Sequence, residues 1–105
     1  MKIGIGSDGS GFGLKGIVVE HLLESGHEVV DYGAHSAERT DYPTWGRIVA
    51  EGVASGEVER GIVICGSGIG ISIAANKVRG IRCCVCSEPY SARMSREHNN
   101  ANMLA

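Results

Sequence analysis

Residues Gly61 to Cys65 form a short, almost unbroken apolar run that ends directly in the glycine-rich turn Gly66-Ser67-Gly68-Ile69-Gly70. A strand that is apolar on both sides must be covered on both sides, which is the condition of a parallel strand inside an α/β sheet. The flanking sequence agrees. Strand-like runs at Lys2–Gly6, Glu28–Tyr32 and Ile81–Cys86 alternate with helical segments. Leu14, Ile17, Val18 and Leu22 recur at spacings of three and four, and Gly26 closes that helix. Pro43 suits the first turn of a second helix with Trp45, Ile48, Val49 and Val53 as its buried stripe, stopped by Gly56. A third helix runs through Ile71, Ile73, Ala74, Ala75 and Lys77, and a fourth from Pro89 to Glu97. Asn102 to Ala105 reads as the beginning of a fifth strand.

Strands alternating with helices make right-handed βαβ units. The expected fold is α/β: a three-layer Rossmann-like sandwich with an open, twisted parallel sheet of four to five strands and helices on both faces, shortened at its C-terminus. As an edge strand without a following helix, the fifth strand is expected to leave apolar surface exposed. At 105 residues the chain forms one domain, 1–105.

Several function classes are disfavoured at this point. The formal charge of -2 gives no electrostatic footprint for nucleic acid or an anionic membrane. No apolar run approaches the ~20 residues that span a bilayer. Nothing resembles a secretory signal, and Cys65, Cys83, Cys84 and Cys86 lack the spread of a disulfide framework. Reduced thiols in a cytoplasmic protein are expected. In Cys83, Cys84 and Cys86, alternation puts neighbours on opposite sheet faces, which suits strand residues better than metal ligands.

Ligands of open parallel sheets bind outside the carboxyl ends of the strands. There the sequence places Ser7-Asp8-Gly9-Ser10-Gly11, the turn from Cys65 to Gly70, and Ser87-Glu88-Pro89-Tyr90. Alternating glycines at a strand-to-helix junction let several N–H groups converge at the positive end of a helix dipole, a cradle for phosphate or a developing oxyanion. Cys65 at its lip would supply a sulfur base beside that cradle. Equally, the glycines could serve only a tight turn, with Cys65 a small core residue. Asp8 could cap the first helix, Tyr42 could start the second, and His98 could offset a helix dipole. Gly4-x-Gly6-x-x-Gly9 with Asp31 matches a dinucleotide fingerprint. However, its strand is short and Asp8 would face the pyrophosphate.

Taken together, Lys2 to Asp8, Asp41-Tyr42-Pro43, Gly61 to Lys77, Gly80-Ile81-Arg82 and Ser91-Ala92-Arg93 through His98-Asn99 resemble the type B ribose-5-phosphate isomerases. That family includes the galactose-6-phosphate isomerase subunits. The block from Gly61 to Lys77 is the most specific part. The resemblance implies an aldose–ketose isomerase acting through a cis-enediol, with no metal and no cofactor. Its default pair is ribose 5-phosphate and ribulose 5-phosphate.

By the same resemblance, Cys65 moves the proton between C1 and C2. Gly66, Ser67, Gly68, Ile69 and Gly70 hold the enediolate oxygen, with Ser67 where the family usually has threonine. His98 opens the sugar ring, and Asp8, Gly9, Tyr42 and Asn99 stand at substrate-binding positions. A homodimer or dimer of dimers is implied, with Cys65 and His98 of each site on different subunits. Two departures stand out. The family's first loop reads Asp-His-Ala-Gly where this chain has Asp8-Gly9-Ser10-Gly11, so a phosphate contact is missing at Gly9. Family members also continue further, with phosphate-gripping arginines and a helix that reaches across the dimer. The competing expectation is a non-catalytic or partner-dependent subunit of a hetero-oligomeric isomerase.

Overall fold

The computed structural model describes residues 1–105. Its elements are β1 (Lys2–Ser7), α1 (Phe12–Glu24), β2 (Glu28–Gly33), α2 (Tyr42–Ala54), β3 (Arg60–Ile64), α3 (Ile69–Asn76), β4 (Cys83–Cys84), α4 (Pro89–Glu97) and β5 (Met103–Leu104). All strand pairs are parallel, in the order β2-β1-β3-β5-β4. The three-layer α/β expectation holds.

Right-handed crossovers assign the helices to faces. Connections β2-α2-β3 and β3-α3-β4 step one way across the sheet, whereas β1-α1-β2 and β4-α4-β5 step back. Accordingly α2 and α3 share one face, and α1 and α4 share the other. Glycines shape the first face: a Cβ at Gly6 or Gly61 would press on Val49 of α2. The core lies here, built from Val49, Ala50, Val63, Ile71, Ala75, Ile81, Cys83 and Met103. On the opposite face, Ile62, Ile64 and Leu104 are only half-buried between α1 and α4.

Three local expectations are corrected. First, β5 is an interior strand, because α4 returns the chain into the gap between β3 and β4. The edge strand is β4, and it is just two residues long. Its outward backbone groups are satisfied by the Asn76 side chain, which accepts from the Cys83 amide at 2.7 Å and donates to the Cys83 carbonyl at 2.8 Å. Second, α1 does not bury its expected stripe. Leu14 and Ile17 are exposed, while Lys15 and Leu22 face the sheet. The helix is turned so that Lys15, at 2 % exposure, donates to Asp31 Oδ1 (2.8 Å) and to the Ala34 carbonyl. Third, in α2 the buried residues are Gly46, Val49, Ala50 and Gly52, while Trp45, Ile48 and Val53 are half-buried.

Candidate active site

The strand order reverses at β1 and β3, since β1 leads leftward to β2 while β3 leads rightward. A crevice therefore opens beyond their carboxyl ends. The Asp8 amide donates to the Ile64 carbonyl at 3.1 Å, which fastens the loop after β1 to the end of β3. This bond places Asp8 and Cys65 at one end of the sheet.

The turn after β3 forms the cradle. Gly68 caps α3 with φ of 77°, a left-handed conformation open to glycine at little cost. That bend directs the Gly68 amide onto Cys65 Sγ at 3.2 Å. Ser67 Oγ accepts from the Ile69 amide at 3.2 Å. The amides of Gly66, Ser67, Gly70 and Ile71 have no protein acceptor. Four free donors at a helix N-terminus, beside a half-buried thiol, suit a group that acquires negative charge on oxygen.

Walls of the crevice come from two loops. Asp8 Oδ1 accepts from Ser10 Oγ (2.7 Å) and from the Gly11 amide (3.0 Å), leaving Oδ2 without a protein partner. Asp8 thus shapes its own loop; the cap position of α1 belongs to Gly11. Ser10 approaches Gly66, where an added Cβ would lie 3.8 Å from its hydroxyl. Tyr42 opens α2 and lays its ring over Gly70, so closely that a Cβ there would sit 2.6 Å from the ring. Asp8, Gly9, Tyr42 and the turn from Cys65 to Gly70 are brought together.

His98 and Asn99 are not. Because α4 runs antiparallel to the strands, its end lies at the amino edge of the sheet. There the Asn99 carbonyl accepts from Arg82 Nε at 2.7 Å, just before β4 begins. Strand register puts Arg82 level with Arg60, five residues before Cys65, which is about 17 Å along the strand. Within one chain His98 cannot reach the cradle.

The dinucleotide reading fails on packing. Gly4 accommodates Tyr32 and Val58, and Gly6 accommodates Val49, so these glycines serve the core. Asp31 is occupied by Lys15 and by the Gly33 amide at 2.9 Å. Lys15 was missed because it occupies a helical position that an apolar count ignores. Trp45 packs against the core, and its indole also donates to Thr40 Oγ1 at 2.8 Å, which fastens the 34–41 loop. Among the cysteines, burial pushes the Cys83 thiol up to about 12, with Cys84 and Cys86 adding to the effect. No helix is long and apolar enough to cross a membrane.

A parallel α/β domain with a thiol and free amides at its switch point defines the class: a Rossmann-like enzyme with its candidate site beyond the carboxyl ends of β1 and β3. Comparison with known proteins narrows it. The family described as Ribose/Galactose Isomerase matches residues 3–105, and the chain belongs to that family. Ribose-5-phosphate isomerase B of Escherichia coli is 61% identical over 99% of this chain and 70% of its own length. Galactose-6-phosphate isomerase subunit LacB of Clostridium acetobutylicum is 44% identical, over 100% of this chain and 61% of that protein. The solved structure of Clostridium thermocellum ribose-5-phosphate isomerase B superposes with a TM-score of 0.99 at 62% identity, covering 100% of this chain and 71% of that one.

Proposed function

We infer that the protein is an aldose–ketose isomerase of sugar phosphates, interconverting ribose 5-phosphate and ribulose 5-phosphate. The observation that carries this reading is Cys65 Sγ beside the four unpaired amides of the 66–71 turn. In the forward direction Cys65 takes the proton from C2 of the open-chain aldose. The electron pair moves to the carbonyl oxygen, and the free amides stabilise the charge that develops there. The O2 hydroxyl proton passes to O1, and return of the proton from Cys65 to C1 then gives the ketose. The free Oδ2 of Asp8 and the position of the Tyr42 ring over Gly70 support hydroxyl-binding roles for both residues.

Ring opening falls to His98, with Asn99 beside it, and both come from a second copy of the chain. Their place at the far end of the sheet supports this: a homodimer or dimer of dimers, with each site shared between subunits, brings them to a neighbour's cradle. A cytoplasmic sugar phosphate is the natural substrate of such a site. The partner-dependent alternative is less favoured, because this one chain carries both Cys65 and His98. The test is to measure interconversion over a panel of aldose phosphates of four to six carbons. Turnover of ribose 5-phosphate above the others is expected; no turnover of any member by the purified protein overturns the reading.

A further inference from the structure

We propose that Lys15, paired with Asp31, is a positioning residue for the Asp8 carboxylate, because it ties the first turn of α1 to the segment that closes over Gly9. The proposal rests on the sugar-phosphate reading above and adds to it a residue that touches no substrate.

Lys15 is the largest fully buried side chain of the protein, at 2 % exposure. Lysine is almost never buried this deeply unless it is paired. Its ammonium donates to Asp31 Oδ1 at 2.8 Å and to the Ala34 carbonyl, with the centroid of the Phe12 ring 5.4 Å away. An apolar side chain of similar length would fill the same space without desolvating a charge, so a buried pair is a poor device for stability alone. What the pair supplies is direction.

Three bonds converge where the chain leaves β2. Asp31 Oδ1 accepts from the Gly33 amide at 2.9 Å, Lys15 holds the Ala34 carbonyl, and the Ala34 amide donates to the Ser7 carbonyl at 2.8 Å. The loop therefore starts on a fixed heading, bonded to the residue that precedes Asp8. Further on, the carbonyls of Ala37 and Glu38 cover Gly9, where an added Cβ would collide with the Glu38 oxygen. On the other side of the same turn, the Lys15 amide donates to the Gly11 carbonyl at 2.9 Å and the Phe12 amide to the Gly9 carbonyl at 3.3 Å. The Gly11 amide in turn holds Asp8 Oδ1 at 3.0 Å. The Asp8–Gly11 turn is thus clasped between α1 and the 37–38 backbone, and Lys15 is bonded to both sides of the clasp.

The paired change Lys15→Met with Asp31→Asn removes the ammonium and leaves no charge without its partner, while the asparagine still offers an oxygen to the Gly33 amide. It would be made in the wild type and in Asp8→Ala. Kinetics with ribose 5-phosphate, the urea midpoint and the rate of tryptic cleavage after Arg39, an exposed residue of the covering loop, would be measured in each. In the wild-type background KM should rise about tenfold, with kcat changed by less than about threefold. Cleavage should quicken about tenfold at an unmoved urea midpoint. In Asp8→Ala the same change should alter kcat/KM by less than about twofold, because no carboxylate remains to be placed. An equal loss of kcat/KM in both backgrounds, no loss in the first, or a loss of kcat alone that tracks a lowered urea midpoint overturns the proposal. If the wild type isomerises nothing, the isomerase reading falls and cleavage decides by itself: an unchanged rate shows that Lys15 does not hold the loop.

Discussion

The amide of Gly68 donates to Cys65 Sγ at 3.2 Å. The bond holds the sulfur at the mouth of the turn whose amides at Gly66, Ser67, Gly70 and Ile71 are free. The bond depends on the left-handed backbone at Gly68, where an added Cβ would also meet Val85 at 3.0 Å. Replacing Cys65 by serine keeps the shape and removes the base, because a hydroxyl is far less acidic. Isomerisation in Cys65→Ser should fall by about 10²–10⁴-fold or more, with an unchanged far-UV spectrum. Retained activity would place the base elsewhere.

Separation of His98 from Cys65 makes a second test possible. In the proposed shared-site dimer, Cys65→Ser homodimers lack both bases, and His98→Ala homodimers lack both ring-openers. In a mixed dimer one site receives both intact residues and the other neither. Random mixing makes about half of the dimers mixed, so up to roughly a quarter of wild-type sites should return. The substrate must need ring opening, since an open-chain one bypasses His98. Equilibrated mixed dimers that recover nothing would contradict the shared site.

Ser7 carries a stability prediction. Its hydroxyl, at the end of β1, is fully buried and has no hydrogen-bond partner. An unpaired buried hydroxyl costs about 1–3 kcal/mol in desolvation. Ser7→Ala removes it with little change in volume and should raise the urea midpoint without altering the slope. Destabilisation would mean that the hydroxyl has a partner in solution.

Acid stability should depend on Glu88. Its carboxylate accepts from the Ser91 hydroxyl, and then from the Ser91 amide at 3.1 and 3.2 Å, which holds its pKa below the usual 4.5. A carboxyl with a lowered folded-state value stabilises fully above its unfolded value and loses that contribution as pH falls through the folded one. The first turn of α4 should therefore loosen below about pH 4.5. Glu88→Gln should flatten this part of the curve of stability against pH. An unchanged acid limb in Glu88→Gln would show that other carboxylates govern it.

Tyr32 should act at the alkaline end. Burial first, then its hydrogen bond to Glu57 (2.8 Å) and that residue's charge, raises the phenol to about 12. Its contribution is complete below the ordinary value of 10.0 and is lost as pH rises toward about 12. Alkaline unfolding of Tyr32→Phe should begin at higher pH, read by Trp45 fluorescence. An unmoved onset would place the alkaline limit in another group.

Much of this molecule was decided by short-range pattern. The apolar run from Gly61 to Cys65, the glycines that follow and the caps at Pro43 and Pro89 act within a turn or a strand, so their meaning is legible in order along the chain. They determine the alternating elements, the parallel sheet and the cradle beside Cys65. Tertiary structure decided what depends on distant segments meeting. The insertion of β5 between β3 and β4, and with it the place of His98 at the far edge, follows from how α4 crosses the sheet. Lys15 is buried because Asp31 on β2 and the Ala34 carbonyl just beyond it supply its partners. Gly9 is closed because the backbone of Ala37 and Glu38 folds over it, in a loop with no periodicity to read. Only packing settles such contacts, since each partner's chemistry is visible alone while their meeting is not.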